Sequence, residues 1–170
     1  MTATRKISAR LYKQLLQVVP TGDSGIEYRP CLVTLKDGRK VDCVYVVLEQ
    51  PYIKQWGVFP ENDSHKQSVQ IEDVSEIKES LSRLPPVIAN KIYKAGESGM
   101  GYCVFTIVFS DGSLQAYVTG NAVDFVPLPA HKVAKDIVDV HPHEGRQAEN
   151  QMNGLGYYWC LYSDVEESID

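Results

Sequence analysis

The sequence predicts an α+β protein in which antiparallel β-hairpins pack against two main helices. Three observations predict this class. Apolar residues recur at helical spacing in two segments, and two apolar runs with strand-like alternation are each interrupted by an Asp-Gly pair. The composition, 44% hydrophobic and 23% charged over 170 residues, is that of an ordinary globular protein. We expect two halves, 1–85 and 86–170, as separate units or as one compact domain.

The first helix is predicted over residues 4–19. Apolar side chains recur there every three or four positions, and Pro20 follows as a stop signal. The segment is also basic, because cations alone provide its charge: Arg5, Lys6, Arg10 and Lys13.

A hairpin is predicted around Asp37-Gly38, between the apolar runs 31–35 and 41–48. A three-residue loop with left-handed Gly38 and a bulge opposes Val33 with Val41 and Cys31 with Cys43. A two-residue loop instead opposes Val33 with Asp42, which suits a buried face poorly. We therefore expect the bulged loop.

The region after this hairpin predicts a strand at 69–71 and one or two helical turns from the spacing of Val74, Ile77 and Leu81. From Val33 to Val74 the pattern resembles that of small Sm-like or SH3-like barrels. This resemblance implies a barrel-like or curved sheet, and such barrels serve RNA, peptide and structural roles alike.

The second half predicts a helix over 87–95, because Pro86 suits a first helical position and Gly96 ends the run. A second hairpin follows at Asp111-Gly112. A two-residue type I′ turn there opposes Phe105, Ile107 and Phe109 with Val118, Ala116 and Leu114. The segment 133–140 is compatible with a strand or a short helix, and 157–162 predicts a last strand.

The two halves repeat one order of features: a helix, a hairpin closed by Asp-Gly, an aromatic segment ending in Pro, and a strand. The last match pairs 71–74 with 137–140. The order predicts an internal duplication that has since diverged. The alternative is that a helix followed by a hairpin occurs twice by chance.

The sequence contains few signs of catalysis. Gly96, Gly99 and Gly101 reverse the order of the dinucleotide fingerprint and follow a helix, whereas that motif follows a strand. The cysteines form no C-x-x-C pair and are expected as reduced thiols: Cys31, Cys43, Cys103 and Cys160. We expect no cofactor, no metal and no catalytic residue.

The alternative of a metal-dependent enzyme depends on His131, His141 and His143, with Glu144 beside them. In an extended segment His141 and His143 project to one face, and imidazole with carboxylate suits zinc. The pattern is weak, because the proline between the two histidines is typical of a turn or a sheet edge.

The favoured hypothesis is a non-catalytic protein-binding protein, such as an adaptor, an assembly factor or an inhibitor of the immunity type. The excess of acid behind the net charge of −5 lies after Pro85, where most aromatic residues also lie. Alternation in 157–162 directs Tyr158 and Tyr162 away from the core. We expect a basic protein partner to contact five residues: Tyr158, Tyr162, Asp164, Glu166 and Glu167. The alternative for this strand is a core strand with half-exposed tyrosines.

Nucleic-acid binding is a further alternative, through the basic first helix and through Lys36, Arg39 and Lys40 around the first turn. A pI near 5.4 argues against it, because affinity for phosphate backbones depends on a basic footprint. No segment contains the roughly 18 consecutive apolar residues of a membrane span, and the start differs from a signal peptide. We expect a cytoplasmic protein that does not enter membranes.

Overall fold

The computed structural model describes residues 4–22, 25–143 and 152–167. Within these ranges it contains three helices and ten strands in mostly antiparallel sheets, which confirms the α+β class, and it forms no closed barrel. The chain divides into two compact units. The first comprises the described residues of Met1–Pro20, Ser24–Ser80 and Tyr157–Asp170, and the second comprises those of Thr21–Asp23 and Leu81–Gly156.

The first unit contains two helices and seven strands among its described residues. The helices are α1 (Ala9–Leu16) and α2 (Glu49–Trp56). The strands are β1 (Lys6–Ile7), β2 (Pro30–Leu35), β3 (Lys40–Leu48), β4 (Gln67–Ser68), β5 (Val74–Glu79), β9 (Tyr158–Tyr162) and β10 (Asp164–Val165). The second unit contains α3 (Pro86–Ala95) with β6 (Cys103–Phe109), β7 (Leu114–Thr119) and β8 (Ile137–Pro142).

The main sheet of the first unit has the order β4-β9-β3-β2-β5. The strand expected at 157–162 is β9, which lies inside this sheet, parallel to both β3 and β4. Parallel neighbours need a long connection between them. Here the connection from β3 to β9 includes the whole stretch 81–156 of the second unit.

The first turn has the predicted geometry. Leu35 donates its N–H to the carbonyl of Arg39 at 2.7 Å, and left-handed Gly38 (φ +91°) donates to Leu35 at 2.9 Å. Val33 lies opposite Val41 as expected. The predicted pairing of Cys31 with Cys43 is wrong. Cys31 lies opposite Val44, because the register shifts by one residue near Cys43, which has φ +58°.

The second turn differs from its prediction. Phe109 donates to the carbonyl of Ser113 and Gly112 donates to Phe109, both at 2.9 Å, so this is the same three-residue loop as in the first hairpin. Phe105 therefore lies opposite Tyr117, not Val118. A type I′ turn needs positive φ at both central residues. Only Gly112 (φ +85°) has it, while Asp111 accepts from the N–H of Ser113 at 2.9 Å.

The helical turns predicted after residue 74 are wrong, because this segment is β5. Val74 and Ile77 are both buried despite their three-residue spacing, since Leu35 pairs with Val74 while Thr34 already pairs with Glu76. That bulge shifts the alternation by one residue. Leu81, the third member of the pattern, is 91% exposed. The expected strand at 69–71 is also displaced, because β4 precedes it and a 3-10 turn occupies Ile71–Asp73.

Helix α1 is shorter than predicted. Ser8 caps it by accepting from the N–H of Leu11 at 3.1 Å, so the helix begins at Ala9. The residues before the cap form β1, which pairs in parallel with β10. Helix α3 confirms the predicted helix over 87–95.

In each unit a helix lies beside one edge strand of the sheet, α1 beside β5 and α3 beside β8. The Gln14 side chain on α1 accepts from the N–H of Ile77 on β5 at 2.8 Å. In the second unit Asp139 accepts from the N–H of Val140 on β8, also at 2.8 Å, and Lys91 on α3 pairs with that carboxylate at 2.7 Å. Unpaired edge strands invite association with other chains. Here the N–H groups of Ile77 and Val140 each donate to a side chain and are not available to another strand.

The 3-10 turns before β5 and β8 occupy matching places in the two units. The N–H of Lys36 is bound by the carbonyl of Asp73 at 2.8 Å, and the N–H of Ser110 is bound by that of Asp136 at 2.8 Å. Asp73 thus corresponds to Asp136. This differs from the sequence match, which paired residues 71–74 with 137–140.

The core of the first unit lies between α1 and the sheet. Leu11 and Leu15 of α1 and Ile7 of β1 pack there with apolar residues of the strands. The described members of this cluster are Ile7, Leu11, Leu15, Val18, Cys31, Val33, Leu35, Val44, Val46, Ile71, Val74, Ile77 and Cys160.

Candidate interface around α2 and β10

Helix α2 was not predicted from the sequence. Pro51 lies in its first turn, where a missing N–H costs no helical hydrogen bond, and Gly57 ends it in the left-handed conformation (φ +80°). These two residues are the signal that could have revealed it. Tyr52 is its only buried residue, so most of the helix remains at the surface.

The Tyr52 ring contacts an aromatic cluster centred on Trp159, whose side chain is 1% exposed. The Tyr45 ring stacks on Trp159 with centroids 5.0 Å apart, and Tyr52 meets it edge-on at 5.0 Å. The other rings around Trp159 are those of Tyr28, Trp56 and Tyr157. This packing fixes α2 against the face of β9 that carries Trp159.

Two cations hold the segment after α2. The Lys66 ammonium lies 3.9 Å from the Trp56 ring centroid, 3.1 Å from the Tyr52 hydroxyl and 3.5 Å from a carboxylate oxygen of Asp63. Burial lowers the pKa of Lys66 and raises that of Tyr52. The Arg5 guanidinium lies 4.6 Å from the Phe59 ring centroid and pairs with Glu61. Both cations therefore already have an acidic and an aromatic partner within the first unit.

Two open grooves flank α2 in the first unit, and both contact Gln50 and Lys54. The larger, of about 700 Å³, is lined by Gly25, Ile26, Leu48, Gln50, Pro51, Lys54 and Gln55. The smaller, of about 550 Å³, is lined by Thr4, Glu49, Gln50, Ile53, Lys54, Phe59, Ser163 and Asp164. Only the smaller groove has carboxylates in its walls.

The predicted acidic contact residues lie at the end of this smaller groove and beyond it. Asp164 lines the groove, and Glu166 and Glu167 follow as exposed residues. The segment is fixed by β1, because Lys6 lies opposite Asp164 and Glu166 donates its N–H to the Ile7 carbonyl at 2.7 Å. Within the described ranges, none of the three acids forms an ion pair.

The predicted contact tyrosines lie elsewhere. Tyr158 and Tyr162 are half-buried and share a face of β9 with buried Cys160, against the cluster beneath α1. The Tyr162 ring meets Tyr12 edge-on at 6.2 Å, and burial raises the pKa of its hydroxyl. Neither tyrosine lines either of the two grooves beside α2. Their role as contact residues stays a prediction.

The residues of the metal alternative lie in the second unit. His131 is exposed in a left-handed conformation (φ +68°), His141 lies on β8 opposite Thr106, and the His143 Nε2 is 2.7 Å from the Thr106 hydroxyl. Among the described residues, no three His, Cys, Asp or Glu side chains form a group that could hold a metal ion. Glu144 lies outside the described ranges.

The cations of the nucleic-acid alternative are partly engaged. Lys36, Arg39 and Lys40 are exposed around the first turn, but Arg39 pairs with Asp37 at 2.7 Å. On α1, Arg10 donates to the Ser75 carbonyl at 2.9 Å. All four cysteines are buried, and burial raises the pKa of Cys103 to about 11.

Across residues 4–22, 25–143 and 152–167, no helix is both long and apolar enough to cross a membrane. Comparison with protein-family models, with curated proteins and with solved structures finds no match to this chain.

Proposed function

We propose that this chain is a non-catalytic protein-binding protein, an adaptor, assembly factor or inhibitor, whose partner is basic. The observation that carries the proposal is the position of Asp164, Glu166 and Glu167. All three are exposed and free of ion pairs within the described ranges. Asp164 lies in β10 beside an open groove, Glu166 donates its N–H to Ile7 of β1, and Glu167 follows it. Carboxylates fixed in this way are available to a positively charged surface.

The acids and the aromatic residues have different roles in this proposal. Like charges on one segment steer a basic partner and speed its encounter, an effect that salt screens. Aromatic side chains supply buried area at low entropic cost and slow dissociation. The exposed parts of Tyr158 and Tyr162 are the proposed source of that second contribution.

The first experiment identifies the partner by affinity capture with the tagged full chain from cells that express it naturally. Association and dissociation rates are then measured for Asp164→Asn/Glu166→Gln/Glu167→Gln. We expect this triple variant to slow association mainly, whereas Tyr158→Ala or Tyr162→Ala mainly speeds dissociation.

The matched control is Glu72→Gln/Asp73→Asn/Glu76→Gln, which removes the same charge from another surface of the first unit. Equal slowing by both triple variants contradicts a local acidic site. Tighter binding of RNA than of any captured protein contradicts the proposal and favours the nucleic-acid alternative. Stoichiometric zinc that stabilises the chain favours the enzyme alternative.

We also infer that the two units descend from a duplicated helix-and-hairpin ancestor. Support comes from the shared three-residue Asp-Gly loops, from the matching bonds of Lys36 to Asp73 and Ser110 to Asp136, and from the helix beside each outer strand. Exchanging residues 36–39 with residues 110–113 tests this equivalence. We expect each exchange to lower the free energy of unfolding by no more than about 1 kcal/mol, and loss of either hairpin contradicts it.

A further inference from the structure

We infer that the smaller groove beside α2 binds a short segment of the basic partner, with a lysine or arginine side chain against Glu49 and Asp164. An apolar neighbour in that segment packs on Ile53 and Phe59. This inference rests on the proposed function and goes beyond it by assigning the docking surface and the chemistry of the segment that enters it.

The two carboxylates come from different elements that line the groove. Glu49 belongs to the first turn of α2, and Asp164 to β10. Glu49 is half-buried, yet within the described ranges it has neither an ion pair nor a side-chain hydrogen bond. A partly desolvated carboxylate without a partner favours a cation beside it. Glu166 and Glu167 extend the negative charge beyond the groove.

One guanidinium, that of Arg5, already lies beside the apolar part of the groove. Arg5 lies over the Phe59 ring and pairs with Glu61, so its charge is neutralised locally. A partner side chain in the groove therefore meets Ile53, the accessible part of Phe59 and two carboxylates without an ion pair in the described ranges. Lys54 also lines the groove, so the two carboxylates leave it with one net negative charge. A cation with an apolar stem matches that combination.

The volume of the smaller groove is sufficient for a short peptide segment of the partner. About 550 Å³ lies within the range of ligand pockets, roughly 300–1,000 Å³. A nucleic-acid strand does not fit this chemistry, because its phosphates meet Glu49 and Asp164. The larger groove has Lys54 as its only charged wall residue, so it serves as an internal control.

The test uses the full chain labelled with nitrogen-15 and two peptide probes, acetyl-GRLRLG-amide and acetyl-GELELG-amide. We expect the basic peptide to shift amide signals of residues 49, 50, 52–54, 59 and 163–164, and the acidic peptide to shift none of these. Glu49→Gln and Asp164→Asn should each weaken binding of the basic peptide about two- to fivefold, the range for a partly exposed ion pair. Glu72→Gln should leave binding unchanged.

Lys54→Glu tests the inference by a gain in affinity, so this test does not depend on weakened binding. It adds a third carboxylate to the groove, so we expect tighter binding of the basic peptide. Melting temperature, measured for every variant, separates unfolding from loss of contact. If Glu49→Gln unfolds the chain, the inference is judged on Asp164→Asn and Lys54→Glu.

The outcomes separate this inference from the proposed function. Shifts around Tyr158 and Tyr162 without shifts in the groove overturn the groove assignment and leave the proposed function standing, as does no binding of the basic peptide at 10 mM. A captured partner whose binding depends on Glu166 and Glu167 but not on Glu49 also overturns the groove assignment and leaves the proposed function standing. Capture of no protein partner overturns the proposed function even if the peptide binds.

Discussion

Asp124 is a fully buried ionisable residue of the second unit. Its side chain is fully buried and accepts from the Thr21 hydroxyl at 2.6 Å and from the Tyr93 hydroxyl. Tyr93 in turn accepts from the N–H of Val123 at 3.0 Å. A buried carboxylate persists only where hydrogen bonds replace its water.

Asp124→Ala should destabilise the chain by about 2–4 kcal/mol, because it leaves two buried hydroxyl groups without an acceptor. Asp124→Asn keeps one acceptor oxygen and a similar shape, so we expect a smaller loss. Urea unfolding of both variants checks this order. Equal losses would indicate that the shape of the side chain matters and its hydrogen bonds do not.

Gly112 has a conformational role with no packing role. Its φ is +85°, and a Cβ added there meets nothing within 4 Å. Gly112→Val should therefore cost about 1–2 kcal/mol through backbone strain alone. Gly112→Asn is the matched control, because Asn tolerates the left-handed region, and it should cost less. A Val variant that melts within about 1 °C of the parent rules out this turn geometry.

The thiols should be inert in the folded chain. All four are buried, and burial raises the pKa of Cys103 from 9.0 to about 11. The reactive thiolate is therefore scarce at pH 8. A thiol reagent should modify less than one cysteine per chain rapidly in buffer and all four in denaturant. Rapid native modification of one site contradicts its burial.

The same shift has a consequence for stability. Because the pKa of Cys103 is higher in the folded chain, the unfolded chain loses its proton first as the pH rises above 9.0. The contribution of Cys103 is then complete below pH 9 and declines between pH 9 and about 11. Cys103→Ser, which does not titrate there, should show a shallower decline in the free energy of unfolding.

At the scale of elements, the helices protect the outer strands. Gln14→Ala removes the acceptor for the N–H of Ile77 and should lower the free energy of unfolding by about 1 kcal/mol. Lys13→Ala, at an exposed neighbouring position of α1, is the control and should change it by less than about 0.5 kcal/mol. Urea unfolding checks both. Equal losses would contradict a specific contribution from this hydrogen bond, because Ala does not lower helix propensity.

Elements were predicted well where their signals are local. Helix α3 has Pro86 at its start and Gly96 after its end, and both turns lie at Asp-Gly pairs. The type of the second turn was missed because Asp-Gly suits both a type I′ turn and a three-residue loop. Of the candidate site, the sequence indicated the acidic segment but not the groove, since α2 was not foreseen.

At the scale of the whole molecule, the first unit is discontinuous in sequence. Its sheet is completed by β9, which follows the second unit and contributes buried Trp159, Cys160 and Leu161. Burying a large apolar side chain is worth roughly 1.5–3 kcal/mol. Loss of β9 therefore removes a large share of a typical stability of about 5–15 kcal/mol.

A fragment of residues 1–80 should consequently remain unfolded. Its amide signals should then show the narrow chemical-shift dispersion of an unfolded chain. The matched control replaces residues 81–156 with a Gly/Ser linker of about 15 residues, and it should recover a dispersed spectrum because β9 is present. A folded 1–80 fragment contradicts the central role of β9. The same pair of proteins tests whether the expected half 1–85 folds by itself or needs β9.

The sequence by itself determined the fold class, helix α3, the sites of both turns and the existence of β9, because periodicity and turn chemistry are encoded by neighbouring residues. The tertiary structure alone decided that β9 is parallel to β3 and that Cys31 opposes Val44. It also decided that Asp164 and Glu49 line the same groove. Those outcomes depend on pairing between residues more than 100 positions apart or on a single-residue bulge. Neither leaves a periodic signal in the chain, because the energy that selects them comes from packing in the assembled core.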